Sequence, residues 1–178
     1  MIYFTADTHF NHFGAIEYCN RPFTTVEEMD EAMVYSWNKT VSKKDIVYHC
    51  GDFGFGNNDI MKKIRYRLNG KIHLVLGNHD YKNKIHRMEN VFSSISDLMT
   101  LKYNKQKIVL CHYAMRVWDS SHYNSWQLFG HSHGNLQGCG KQFDVGVDNF
   151  NFKPVSIETV AEIMKILPDN WNIKKELT

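Results

Sequence analysis

Five short polar clusters in this chain each follow directly on a short apolar run, and that recurrence narrows the folds open to it more than any other feature. The clusters are Asp7-Thr8-His9, Gly51-Asp52, Gly77-Asn78-His79-Asp80, Cys111-His112 and Gly130-His131-Ser132-His133. The runs before them are Ile2-Tyr3-Phe4, Ile46-Val47-Tyr48, residues 72–76, Ile108-Val109-Leu110 and Leu128-Phe129. Read as strands, the runs end in chemistry. Ligands in an open α/β sheet bind just beyond the carboxyl ends of its strands, so side chains far apart in sequence can meet in one cleft.

The rest of the pattern fits an α/β domain. A capping box at Thr25-x-x-Glu28 predicts a helix beginning near Thr25, with Val26, Met29, Met33 and Trp37 on its buried face. A second helix is expected over 59–68, closed by Asn69-Gly70, whose residues readily take the left-handed conformation. This helix lies between two strands, the βαβ arrangement that implies parallel pairing. Residues 98–103 and 107–111 flank Asn104-Lys105-Gln106 and read as an antiparallel hairpin. Residues 126–129 and 142–147 are strand-like, and 156–167 forms a last helix. The expectation is two mixed sheets face to face with helices outside, one domain over residues 1–167, and a polar tail, 168–178, that dangles.

Composition removes several alternatives. The 178 residues are enough to bury a core without staples, and 43% hydrophobic with 22% charged residues is ordinary for a globular protein. The formal charge of +2 comes with dispersed lysines, so no basic stripe marks a polymeric nucleic-acid partner. No stretch approaches a membrane span and no signal segment leads the chain, so a cytoplasmic protein without a membrane partner is expected. Cys19, Cys50, Cys111 and Cys139 form no C-x-x-C pair and are expected to be reduced.

Asp7 and His9, one residue apart, project to the same side at a strand end. Asp52 offers two oxygens and suits a bridging role, while Asn78, His112, His131 and His133 supply neutral donors. This mixture suits manganese, iron, zinc or nickel better than calcium, which prefers an all-oxygen shell. Two divalent ions about 3.5–4 Å apart can turn a shared water into a nucleophile and polarise a phosphoryl oxygen. His79 beside Asn78 is placed to protonate the leaving oxygen, with Asp80 orienting its imidazole. Each cluster alone is a common turn sequence. All five together, each behind an apolar run, are not.

Asp7-x-His9, Gly51-Asp52, Gly77-Asn78-His79-Asp80, His112 and Gly130-His131-x-His133 together resemble the full motif set of the calcineurin-like metallophosphoesterases. The further stretches Asp7-Thr8-His9-Phe10-Asn11-His12, Asn20-Arg21-Pro22-Phe23, Gly51-Asp52-Phe53-Gly54 and Cys111-His112-Tyr113 are similar to a small bacterial and phage branch of that family. The resemblance implies a four-layer α/β/β/α sandwich. It also implies one ion on Asp7, His9 and His133, a second on Asn78, His112 and His131, and Asp52 bridging. Manganese is the favoured cofactor pair.

Around the centre, His12 is three residues beyond His9 and is a candidate substrate contact, alongside Asn78 and His79. Arg116 and Arg21 are candidate phosphate clamps, because guanidinium binds phosphate bidentately. Phe10, Phe13, Tyr113, Trp118, Tyr123 and Trp126 could wall a pocket or pack the core. His49, His73 and His86 fit structural roles. The expected activity is hydrolysis of a small phosphodiester, a nucleotide or cyclic nucleotide among them, by a metal-bridging hydroxide with His79 as proton donor. A phosphomonoesterase is the alternative; a nuclease or a non-catalytic scaffold rank lower.

Overall fold

A computed structural model describes residues 1–88 and 90–173. The apolar runs are strands. β1 (Ile2–Thr5), β2 (Ile46–His49) and β3 (Lys71–Val75) pair in parallel, with Ile2 opposite Ile46 and Ile46 opposite Lys71. β4 (Ser94–Ser96) extends this sheet beside β3, and β9 (Val155–Ser156) closes its other edge antiparallel to β1. The second sheet runs β5 (Leu98–Tyr103), β6 (Gln106–Cys111), β7 (Trp126–Phe129) and β8 (Gln142–Asp144) in that order. Its hairpin turns on Asn104 and Lys105 alone, at φ 45° and 69°. That is one residue tighter than expected and the sign of a two-residue turn matching strand twist. Both sheets are mixed, as expected.

Side-chain alternation assigns the layers. Phe4 and Val75 of the first sheet meet Ile108, Leu110 and Leu128 of the second in one buried cluster, into which the last helix, Ile157–Ile166, sends Ile157, Val160 and Met164. Tyr3, Val47, Ile72 and Leu74 face the other way, against Met29, Met33, Val34 and Trp37 of the helix Val26–Thr40 and Met61 and Ile64 of the helix Asn58–Arg67. Fully burying each large apolar side chain contributes about 1.5–3 kcal/mol, so these two clusters hold the sandwich together. At the first of these helices Thr25 caps the Glu28 N–H as expected. The reciprocal carboxylate bonds go to the Thr24 N–H and hydroxyl, at 2.8 and 3.0 Å.

The expected dangling tail needs correction. Asn170 is 1% exposed. Its amide donates to the carbonyls of Ser121 and Ser125 at 2.9 Å each and accepts from the Lys141 N–H at 2.8 Å. Trp171 Nε1 reaches the Arg116 carbonyl. A polar side chain was read as exposed, but here it satisfies loop backbone groups that would otherwise be buried without partners. Residues 174–178 lie outside the described residues. No described helix is long and apolar enough to cross a membrane.

Candidate metal centre

Three of the five strand runs deliver their polar clusters by a sharp departure from strand geometry. Asp7, His9, Asp52, His131 and His133 take φ of 55°, 49°, 57°, 68° and 48°. Non-glycine residues rarely adopt the left-handed region, and they gather where surrounding structure forces it for function. Here the loops force one another: the Asp7 N–H donates to the Gly51 carbonyl at 2.9 Å and the His9 N–H to the Asp52 carbonyl at 3.0 Å. Gly51, at φ 99°, leaves no room for a side chain, because a Cβ there would stand 2.5 Å from His112 Nδ1.

The expected donors converge in two groups. Asp7, His9 and His133 bring one ligand atom each within 4.8 Å of one another, and so do Asp52, His112 and His131. Asn78 Oδ1 lies 3.2 Å from His112 Nε2, beside the second group. Asp52 Oδ2 stands 3.6 Å from His9 Nε2 and 3.5 Å from His112 Nε2, between the groups. His79 Nε2 is 3.9 Å from the same oxygen.

The donor set fits cations. His9 Nε2 is buried with no hydrogen-bond partner. Burial pushes the Asp7 and Asp52 carboxyls up and the His9 imidazole down, and holds His112 at about 4. No Lys or Arg side chain pairs with either carboxylate among the described residues. Buried carboxylates and lone pairs aimed at one point need positive charge there. His112 Nδ1 lies 2.8 Å from the Cys50 carbonyl, which must accept, so the proton sits on Nδ1 and Nε2 is free to ligate. The His131 N–H donates to both oxygens of Asp7, at 3.0 and 2.8 Å, tying the two sheets together.

Two expected roles change. Asp80 does not orient His79. Its carboxylate accepts the N–H groups of Asp52, Phe53 and Gly77 at 2.8, 2.9 and 2.8 Å, while His79 Nδ1 has no partner. Arg21 is no phosphate clamp. Its side chain is fully buried and paired with Asp148, Nε to Oδ1 at 2.8 Å and Nη2 to Oδ2 at 2.9 Å. Arg116 is exposed and its guanidinium stacks over Trp171, 4.9 Å from the ring centre.

His12 does reach the centre, its Nδ1 3.3 Å from His9 Nδ1. Tyr113 packs edge-on against His112 and His131. Phe10 and Trp118 are core, Trp126 packs against it, and Phe13 and Tyr123 are exposed. His49 is buried against the Thr8 hydroxyl and His73 bonds to Ser94, both structural.

Two residues outside the expected set also stand at the centre: Phe55, whose ring stacks on His12 at 3.6 Å and lies 4.7 Å from His79, and Asp148, 2.7 Å from His133 Nδ1. Burial opposes charge on His133, but the bonds to Asp148 and Cys19 outweigh it and lift the imidazole to about 10. Asp148 follows the strand-like residues 142–147, so the rule used for the other clusters would have found it. A cleft of about 260 Å³ opens beside the centre, walled by His9, His12, Tyr18, Cys19, His79 and His133 among others.

Residues 1–142 match the calcineurin-like phosphoesterase superfamily domain, a span holding every expected ligand. The chain belongs to that family, whose members are metal-dependent phosphoester hydrolases. It is 35% identical over 176 residues to an uncharacterised protein of Methanocaldococcus jannaschii, covering 92% of this chain and 91% of that one. A protein of unknown function from Aquifex aeolicus shares the fold, with a TM-score of 0.75 at 24% identity over 92% of this chain and 98% of that one. An archaeal phosphodiesterase superposes with a TM-score of 0.48 at 18% identity, covering 82% and 81%.

Proposed function

We propose that the protein hydrolyses a small phosphodiester, a nucleotide or cyclic nucleotide among the candidates, with two divalent ions held by Asp7, His9 and His133 on one side, Asn78, His112 and His131 on the other, and Asp52 between. The observation that carries this reading is the position of Asp52 Oδ2, within 3.5–3.9 Å of ring nitrogens of His112, His9 and His79, the last two of which line the cleft. Such an ion pair supplies an activated water and neutralises charge on the phosphoryl oxygens. Manganese is the ion favoured for this mixed oxygen and nitrogen set.

The protein's own groups define the rest. His79, its Nδ1 without a hydrogen-bond partner, donates the proton to the departing oxygen. The stacked pair of His12 and Phe55 offers a flat wall for the leaving group. Among the described residues, no Lys or Arg lines this cleft. A dianionic terminal phosphate would therefore gain no clamp from it, which favours the singly charged diester over a monoester.

Replacing Asp52 with Asn tests the centre: manganese-dependent turnover of an aryl phosphodiester is expected to fall by about 100-fold or more, the scale of losing a key electrostatic contact. Wild-type rates in the variant would overturn the bridging role. Matched mono- and diester substrates test the class, and a faster monoester would replace the diester reading.

A further inference from the structure

We propose that Asp148, clamped by the buried Arg21, is a positioning residue that sets the His133 donor and makes the two metal positions unequal in affinity. This rests on the two-ion reading above. The two groups differ in what stands behind an imidazole. His112 Nδ1 contacts a neutral acceptor, the Cys50 carbonyl, at 2.8 Å. His133 Nδ1 contacts a carboxylate, Asp148 Oδ2, at 2.7 Å. An anionic acceptor orients a ligating imidazole and raises its basicity more than a peptide carbonyl does, and losing such a partner typically costs 10–100-fold in metal affinity.

Arg21 makes this arrangement specific to one group. Its Nε and Nη2 hold both oxygens of Asp148, a bidentate geometry that lysine cannot reproduce. The same guanidinium donates from Nη2 to the Asp7 carbonyl at 2.6 Å and from Nη1 to the Thr8 carbonyl at 3.0 Å. One buried cation thus braces the loop that carries Asp7 and His9 and the carboxylate that carries His133. The turn Val147–Asn149 that presents Asp148 is itself fixed on the first strand's extension, by the Val147 N–H on the Ala6 carbonyl at 3.0 Å. Asp52, His112 and His131 make no contact with Arg21 among the described residues. Cys19 Sγ also approaches His133 Nδ1, at 3.2 Å, but among the described residues Asp148 alone brings a carboxylate to that nitrogen.

Calorimetric titration of the metal-stripped full chain with manganese tests this. The wild type is expected to bind two ions in two unequal steps. In Asp148→Asn the tighter step weakens about 10–100-fold and the other stays put. That variant leaves Arg21 buried without its charge partner, so Arg21→Met with Asp148→Asn, which removes both charges, is measured beside it, with at least that loss expected at the same step because Arg21 also braces the Asp7 loop. Thermal unfolding of each confirms that a folded protein is being titrated. Cobalt absorption assigns the weakened step by its change in band shape. Two equal steps in the wild type overturn the inference whatever the variants do, and so does equal loss, or no loss, at both steps in a folded variant. Uptake of fewer than two ions by the wild type would instead overturn the two-ion reading underneath.

Discussion

The two sheets contribute different chemistry to the centre, yet each anchors its loops by the same device. The five-stranded sheet supplies the oxygen donors of Asp7, Asp52 and Asn78 with His9, and the four-stranded sheet supplies the imidazoles of His112, His131 and His133. On the first side Asp80, fully buried, accepts the N–H groups of Asp52, Phe53 and Gly77. On the second, Asp144 accepts the Ser132 hydroxyl at 2.7 Å and the N–H groups of Gly134 and Gly146 at 2.9 and 2.7 Å. The donor residues themselves offer no apolar side chain with which to dock, although Phe10 and Phe53 beside them are buried. A buried carboxylate that gathers several loop amides does that work instead, and lets left-handed donor residues persist. The clamps are unequal: three backbone amides for Asp80, and two with a rotatable hydroxyl for Asp144.

That inequality can be broken by mutation. Asp80→Ala leaves three buried amides without acceptors, each costing about 1–3 kcal/mol, so urea unfolding should show a loss of at least about 3 kcal/mol. Turnover should fall with it, because one of those amides is that of Asp52 itself. A loss below about 1 kcal/mol would mean that Asp80 is not a clamp. Asp144→Ala should cost less, about 1–3 kcal/mol, since Gly134 is exposed to water, the Ser132 hydroxyl can rotate towards another partner, and the Gly146 amide is the one left buried. If it destabilises as much as Asp80→Ala, the two sides are equivalent and the comparison fails.

The contrast also explains what could be read from the sequence. Strand runs and their polar ends were legible because apolar side chains alternate or cluster by local rule, and all seven expected ligands arrive at one end of the sandwich. The hairpin and the Thr25 cap were legible for the same local reason. Asp80 was placed beside its neighbour His79 because sequence shows adjacency; its partners, Asp52 and Phe53, come from a loop 27 or more residues away. Arg21 stood as a candidate phosphate clamp because its acid, Asp148, lies 127 residues on. Asn170 looked exposed because polarity alone says nothing of buried carbonyls awaiting a donor. The errors fall on polar groups whose partners are set by how the two sheets dock.

A third carboxylate gives the finest test of the clamp idea. Asp30, on the helix Val26–Thr40 and only partly buried, accepts the Asn11 N–H on both oxygens at 3.0 Å, two residues beyond His9. Asn11 is itself left-handed, at φ 58°. Burial raises the Asp30 carboxyl from 3.8 to about 6, the Asn11 amide only partly offsetting it. A carboxyl whose pKa is raised on folding binds its proton more tightly in the folded state, so its contribution is complete below about pH 4 and is lost as the pH rises through about 6. Asp30→Asn keeps an oxygen for the Asn11 amide but cannot titrate. Measured by urea midpoint, the variant should therefore gain on the wild type between pH 4 and pH 7. Parallel profiles would show that Asp30 does not titrate between those pH values; a relative gain of the variant would make it a clamp that loosens as it ionises.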